Sequence, residues 1–270
     1  MKRVKVIANF EEALDPVIIV ESAKDVEIII DYLIPDELPK PIPPDTIRFV
    51  LTIQPEQHFN DLIRKHQDNF HHLLTFMPSM LSLPKAIFFI GLTPFCTPDP
   101  STEKTFGVSC VFSGRNCLPG HKLRHELWTR RDEITIPKYF YTGLRSGQTG
   151  GIPLPAEKKA KNVVMNTMFH IAIDSYDYDN SFSEKLIDPM IRMSLPIYWG
   201  AHNVLDYFNP LGILHVSTVS DIINACNSLT PDDYLQRLPA IKENFATGMN
   251  YYDYGKQLQR IIQKVLNERQ

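Results

Sequence analysis

The chain has 270 residues, 43% of them apolar and 22% charged, with 28 Lys and Arg against 31 Asp and Glu. That composition suits one sizeable soluble domain or two modest ones. A net charge of −3 excludes general attraction to nucleic acid or an anionic membrane. No run approaches the roughly 20 apolar residues that cross a bilayer, which leaves only peripheral membrane contact. The four cysteines, Cys96, Cys110, Cys117 and Cys226, form no CxxC pair and no metal-finger spacing. Buried free thiols in a reducing, cytoplasmic setting are expected.

Met1-Lys2-Arg3 opens basic, but the apolar run behind it is short and broken by Asn9, Glu11 and Glu12. It reads as a first strand rather than a signal peptide. Strands are expected over residues 4–9 and 26–33. Pro35, Pro39, Pro41, Pro43 and Pro44 then exclude regular structure. A β-rich run over 47–53 stops at Pro55, residues 57–68 suit a helix, and strands follow over 70–76 and 86–90. Strands alternating with helices predict a parallel sheet covered on both faces. Residues 93–104, rich in Pro, Ser, Thr and charge, read as a linker between two lobes.

The second lobe is expected to open with a strand over 106–112, a helix over 121–131 and a strand over 134–141. The stretch 145–155 is a loop that lacks the ending of a phosphate-binding P-loop and is no dinucleotide fingerprint. A buried strand from Phe169, a polar loop, a helix opening on Ser-Glu-Lys and a strand ending at Gly200 follow. In an α/β protein that order sets the polar loop at the carboxyl ends of the strands, where ligands bind. Near the end, Leu258, Ile261, Ile262, Val265 and Leu266 follow helical spacing. The expected domains are 1–98, 105–247 and a closing helical segment, 248–270, packed across both.

Ser181-Phe182-Ser183-Glu184 fits a capping box. Lys185, by contrast, is a cation in a first helical turn, where the macrodipole disfavours it. An anion that also uses the helix amides, such as a nucleotide diphosphate, accounts for it. Spacing alone leaves capping and ligand binding equally open. Gly120-His121-Lys122-Leu123-Arg124-His125 repeats the theme of a helix opening on basic residues after a strand. There Lys122 would act as a point charge and Arg124 as a fork, against the plainer reading of a solvated basic face. Asp174, Asp177 and Asp179 contain an Asp-x-Asp pair able to hold a divalent cation, though a polar loop without metal is the simpler reading. Glu56, after a strand, has the position of a proton acceptor, yet position alone favours a surface glutamate. His58, His71 and His72 have no partner pattern, and no nucleophile elbow or HExxH motif occurs.

These residues resemble a known family. Phe169-x-Ile-Ala-Ile-Asp-Ser, Ser-Phe-Ser-Glu-Lys-Leu-Ile-Asp and Leu-Pro-Ile-Tyr-Trp-Gly are similar to the donor-binding half of the α-1,3/α-1,4-fucosyltransferases, glycosyltransferase family 10. The likeness extends back through Val108–Ser113 and Gly120–Arg124, and forward to Ile213–Val216 and Asp233–Arg237. In the first lobe it is looser, through residues 53–56 and 74–76. The resemblance implies an α/β fold of two Rossmann-like lobes facing across a cleft (GT-B), and an inverting transfer of L-fucose from GDP-fucose to an acceptor glycan. Glu56 would be the general base. Glu184 would bond the ribose or sugar, and Lys185 would neutralise the diphosphate leaving group. Ser113 falls in the matched stretch and joins the donor side, and the family's phosphate arginine has Arg115, Lys122 or Arg124 as its counterpart, the last two preferred. Asp174, Ser175 and Ser181 stand where the family has Glu, Asn and Tyr. These shorter side chains leave open a different donor sugar, or a sugar-nucleotide or glycan-binding protein without turnover. No cofactor is required, and a divalent cation is allowed without being essential. The family's animal members carry a membrane anchor; the absence of one here is the pattern of bacterial or viral relatives.

Overall fold

Two parallel sheets organise the chain, and each belongs to its own compact unit: residues 1–93 with 253–270, and residues 94–252. The computed structural model describes residues 1–8, 18–30, 42–53, 61, 63–143, 150–155 and 160–268. Glu56 and much of the helix expected over 57–68 lie outside them.

In the first unit β1 (Lys2–Arg3) pairs antiparallel with β3 (Ile19–Val20). The main sheet joins β2 (Lys5–Ala8), β4 (Asp25–Ile30), β5 (Thr46–Leu51), β6 (His72–Thr75) and β7 (Ala86–Phe88), side by side in chain order and all parallel. Val26, Ile28 and Ile30 of β4 and Phe49 and Leu51 of β5 point to one face. The helix Tyr254–Asn267 covers that face with Tyr254, Leu258, Ile262, Val265 and Leu266, the stripe its spacing predicted. On the other face Glu27 and Arg48 stand directly opposite each other across the β4–β5 ladder and form a buried ion pair. The segment 248–270 is not one helix: the helix Pro231–Tyr252 ends, and Asp253 caps the next by accepting from the Lys256 amide at 3.0 Å.

The second unit holds β8 (Thr105–Phe112), β9 (Lys138–Thr142), β10 (Ile152–Pro153), β11 (Thr167–Ile173), β12 (Leu195–Trp199) and β13 (Leu214–His215). Their spatial order is β10-β9-β8-β11-β12-β13, again all parallel. Strands one to three therefore run one way from β8, and strands four to six run the other way from β11. This is the doubly wound Rossmann order, whose reversal leaves a crevice at the carboxyl ends of the two central strands. Part of the stretch read as a plain connection, Ile152–Pro153, is an edge strand, where a proline's missing N–H does no harm. Val108, Cys110, Phe112, Phe169, Ile171 and Ile173 form the core on one face with Leu127, Trp128 and Tyr234. The linker residues from Pro94 onward belong to this unit.

Candidate functional site

The reversal point is built by close backbone approach. After β8 the chain enters the helix Pro119–Thr129, with proline at its first position, where a missing N–H costs nothing. The Gly120 amide donates to the Ser175 carbonyl at 3.1 Å. A Cβ on Gly120 would lie 1.7 Å from the Asp174 carbonyl oxygen, so only glycine lets this helix rest on the end of β11. Gly200 is held the same way, with the Tyr198 hydroxyl 2.2 Å and the Asp174 Cβ 3.0 Å from where its own Cβ would sit.

Asp174 is the knot of this region and is 1% exposed. One carboxylate oxygen accepts from the Ser183 hydroxyl; the other accepts from the Tyr198 hydroxyl at 2.7 Å and the Ser183 amide at 3.3 Å. Burial raises its pKa against the pull of Lys185 and these hydrogen bonds. Its oxygens are thus spent on bracing β11, β12 and the next helix. Expected as a donor contact, Asp174 instead positions the loop that carries the charges.

Capping of that helix, Glu184–Met190, differs from the sequence expectation. Ser183 is the cap, its hydroxyl accepting from the Lys185 amide at 3.2 Å, while the Ser181 hydroxyl is drawn to the Tyr178 carbonyl at 2.6 Å. The helix is only 7 residues long, with Pro189 inside it. Free amides at the two helix openings therefore contribute less than expected, because Gly120 and Lys185 both spend theirs inside the protein. Attraction for an anion rests on side chains.

Those side chains line a cavity of about 220 Å³ inside this unit. Its walls include Ser113 at the end of β8, His170 and Ile173 on β11, Arg124, Lys161, Lys185 and Asp188. Arg124 is 7% exposed and donates to the Ile173 carbonyl at 2.5 Å. The Lys185 Nζ lies 2.8 Å from the Glu184 carboxylate. Burial pulls the Lys185 pKa down, but Glu184 and Asp174 outweigh it and hold it raised. Burial pushes Glu184 up, yet Lys185 and Lys161 bring it down to about 2. The pair stays fully charged at neutral pH.

Two further groups give the cavity a polar wall. His170 takes Ser109 as partner, Nδ1 to Oγ 2.8 Å, and burial lowers its pKa to about 3, so the ring is neutral. Asp188 is 1% exposed; one oxygen accepts from the Phe95 and Cys96 amides at 2.8 and 2.9 Å, and the other has no partner among the described residues. Burial raises its pKa to about 6.

Of the residues expected around a donor, the structure brings Ser113, Arg124, Glu184 and Lys185 together. Ser175 gives its carbonyl to Gly120, and Ser181 turns to Tyr178. Lys122 is exposed and does not line the cavity. Asp177 and Asp179 flank His202 at 3.6 and 3.9 Å. Among the described residues no cluster of three or more His, Cys, Asp or Glu is placed to hold a metal ion. Lys161, His170 and Asp188 were missed. Lys161 sits in the basic run AEKKAKN, which gives no hint that it turns inward.

The two parallel α/β units define the fold as GT-B, the class of many nucleotide-sugar-dependent transferases. Among solved structures, the chain is similar to an alpha1,3-fucosyltransferase with GDP-fucose, at TM-score 0.52 and 14% identity over 84% of this chain and 77% of that one. It is similar to S. aureus TarM in complex with Fondaparinux, alpha-GlcNAc-glycerol and UDP, at TM-score 0.57 and 8% identity over 87% and 54%. A T4 phage BGT mutant with UDP-glucose gives 0.52 and 10% over 90% and 74%. No family model and no curated protein sequence matches the chain. No helix among the described residues is long and apolar enough to cross a membrane.

Proposed function

We propose that the chain is an inverting glycosyltransferase that moves a sugar from a nucleoside diphosphate sugar, GDP-fucose first among them, to a hydroxyl of an acceptor glycan. The observation that carries this reading is the cavity at the strand-order reversal, walled by Arg124, Lys161 and Lys185. As the bond from sugar to phosphate breaks, negative charge grows on the diphosphate, and fixed cations in a poorly hydrated site stabilise it. Glu184 holds Lys185 in place and offers its second oxygen to a ribose or sugar hydroxyl. Glu56, outside the described residues, is assigned the proton-accepting role on the family resemblance.

The same cavity suits a different nucleotide sugar. Ser175 and Ser181 replace larger family residues, and two of the similar structures hold UDP or UDP-glucose. Incubation with a panel of GDP- and UDP-sugars, reading which is consumed, tests both. Consumption of one donor, abolished by Glu56→Gln with nucleotide binding intact, is expected. Binding of a nucleotide with no turnover of any sugar would leave a binding protein instead, and full activity in a chelator would dismiss a role for Asp177 and Asp179.

A further inference from the structure

Arg124 and Lys185 bring two positive charges to the cavity. Against them stand Asp188 in the wall, Glu184 through its ion pair with Lys185, and Asp174, whose carboxyl acts on both Arg124 and Lys185. Arg124 and Lys185 therefore do not outnumber the carboxyls that face them and by themselves exert no net pull on a diphosphate. Lys161 is the third cation among the described residues of the wall and shifts its balance toward positive charge.

Its surroundings suit that task. The Lys161 ammonium rests 4.1 Å from the centroid of the Phe95 ring, and among the described residues it makes no hydrogen bond or ion pair. It lies near enough to Glu184 and Asp188 to lower both carboxyls. A cation on an aromatic face is oriented while its three N–H donors stay uncommitted. A phosphate oxygen offers it a stronger, charge-assisted bond than the ring does.

We infer that Lys161 is a third phosphate-binding cation of this cavity, held ready on the Phe95 ring and adding positive charge that draws in a nucleoside diphosphate. This rests on the donor reading above, with Lys161 in a role that neither composition nor motif assigned to it.

The test is calorimetric titration of GDP, with UDP as second probe, at rising sodium chloride. Lys161→Met is expected to weaken binding about tenfold, or 1.4 kcal/mol, and to flatten its salt dependence, since one fewer charge is screened. Lys161→Arg should restore both, and Asp188→Asn, which removes an opposing charge, should tighten binding. The half-exposed position of Lys161 makes misfolding an unneeded explanation, and circular dichroism of each variant checks it. If Lys185→Ala weakens binding while Lys161→Met matches the wild type at every salt concentration, the role of Lys161 is overturned and the donor site stands. If the wild-type protein binds neither nucleotide, the donor reading falls and takes this inference with it.

Discussion

The two sheets of this chain are both parallel and both bury charge, yet they do so to opposite ends. In the first, the strands run in chain order among the described residues, and Glu27 meets Arg48 in register across one ladder. Each charge has its partner built in, and the pair is buried. In the second, the order reverses between β8 and β11, and the described wall of a cavity there carries three cations, Arg124, Lys161 and Lys185, and one carboxylate, Asp188. Satisfied charge specifies a fold; surplus charge at a topological switch point specifies a ligand.

Breaking the closed pair should therefore cost stability and spare binding. Arg48→Met strands a buried carboxylate, and a loss of about 3–5 kcal/mol in urea unfolding is expected, with GDP affinity unchanged in whatever fraction remains folded. A smaller loss with the opposite signature is expected at the switch point. Gly120→Ala forces a methyl group against the Asp174 carbonyl, 1.7 Å away before relaxation. About 2–3 kcal/mol of overpacking is expected, together with weaker nucleotide binding, because the helix carrying Arg124 must move.

Asp188 sharpens the contrast through pH. Its folded-state pKa, raised by burial from 3.8 to about 6, means that the folded protein holds an extra proton between those values. The contribution of Asp188 to stability should fall as pH rises through that window and level off above it, while His170, held neutral by burial, contributes in the opposite sense, so the difference between variant and wild type carries the signal. Asp188→Asn, which has no proton to lose, should gain relative to wild type over the same interval, by at most about 3 kcal/mol. Thermal unfolding of both proteins from pH 4 to 8 measures it; parallel curves would remove the buried ionisation from the account. The smallest effect belongs to Lys122→Ala. That side chain is exposed and outside the cavity, and less than about a twofold change in GDP affinity is expected, as for a screened surface charge.

What the sequence disclosed follows a physical divide. Strand and helix periodicity found β8, β11, β12 and the C-terminal helix, because each is long enough to show its buried face. Two-residue strands such as Ile152–Pro153 and Leu214–His215 have no period to read, and without them the Rossmann order is invisible. Local signals found the charged loop but misplaced its cap. Ser181 and Ser183 both suit a helix start, and only the Tyr178 carbonyl, which engages Ser181, decides between them.

The site residues divide the same way. Lys185 and Glu184 were legible because they open a helix after a strand, and Arg124 because it lies in a basic run near the start of another. Asp174 was legible as important but not as a brace, since its partners Ser183 and Tyr198 meet it only in three dimensions. Asp188 and Lys161 depend on contacts that no local pattern encodes. Asp188 reaches back to amides at Phe95 and Cys96, some 90 residues away, and Lys161 meets the ring of Phe95, also remote in the chain.

Everything functional in this account depends on where a diphosphate comes to rest. A crystal structure of the protein grown with GDP answers that directly. Density for the two phosphates among Arg124, Lys161 and Lys185, beside the end of β11, is the result this reading predicts. Phosphates bound anywhere else, with that basic wall still facing solvent, would contradict it.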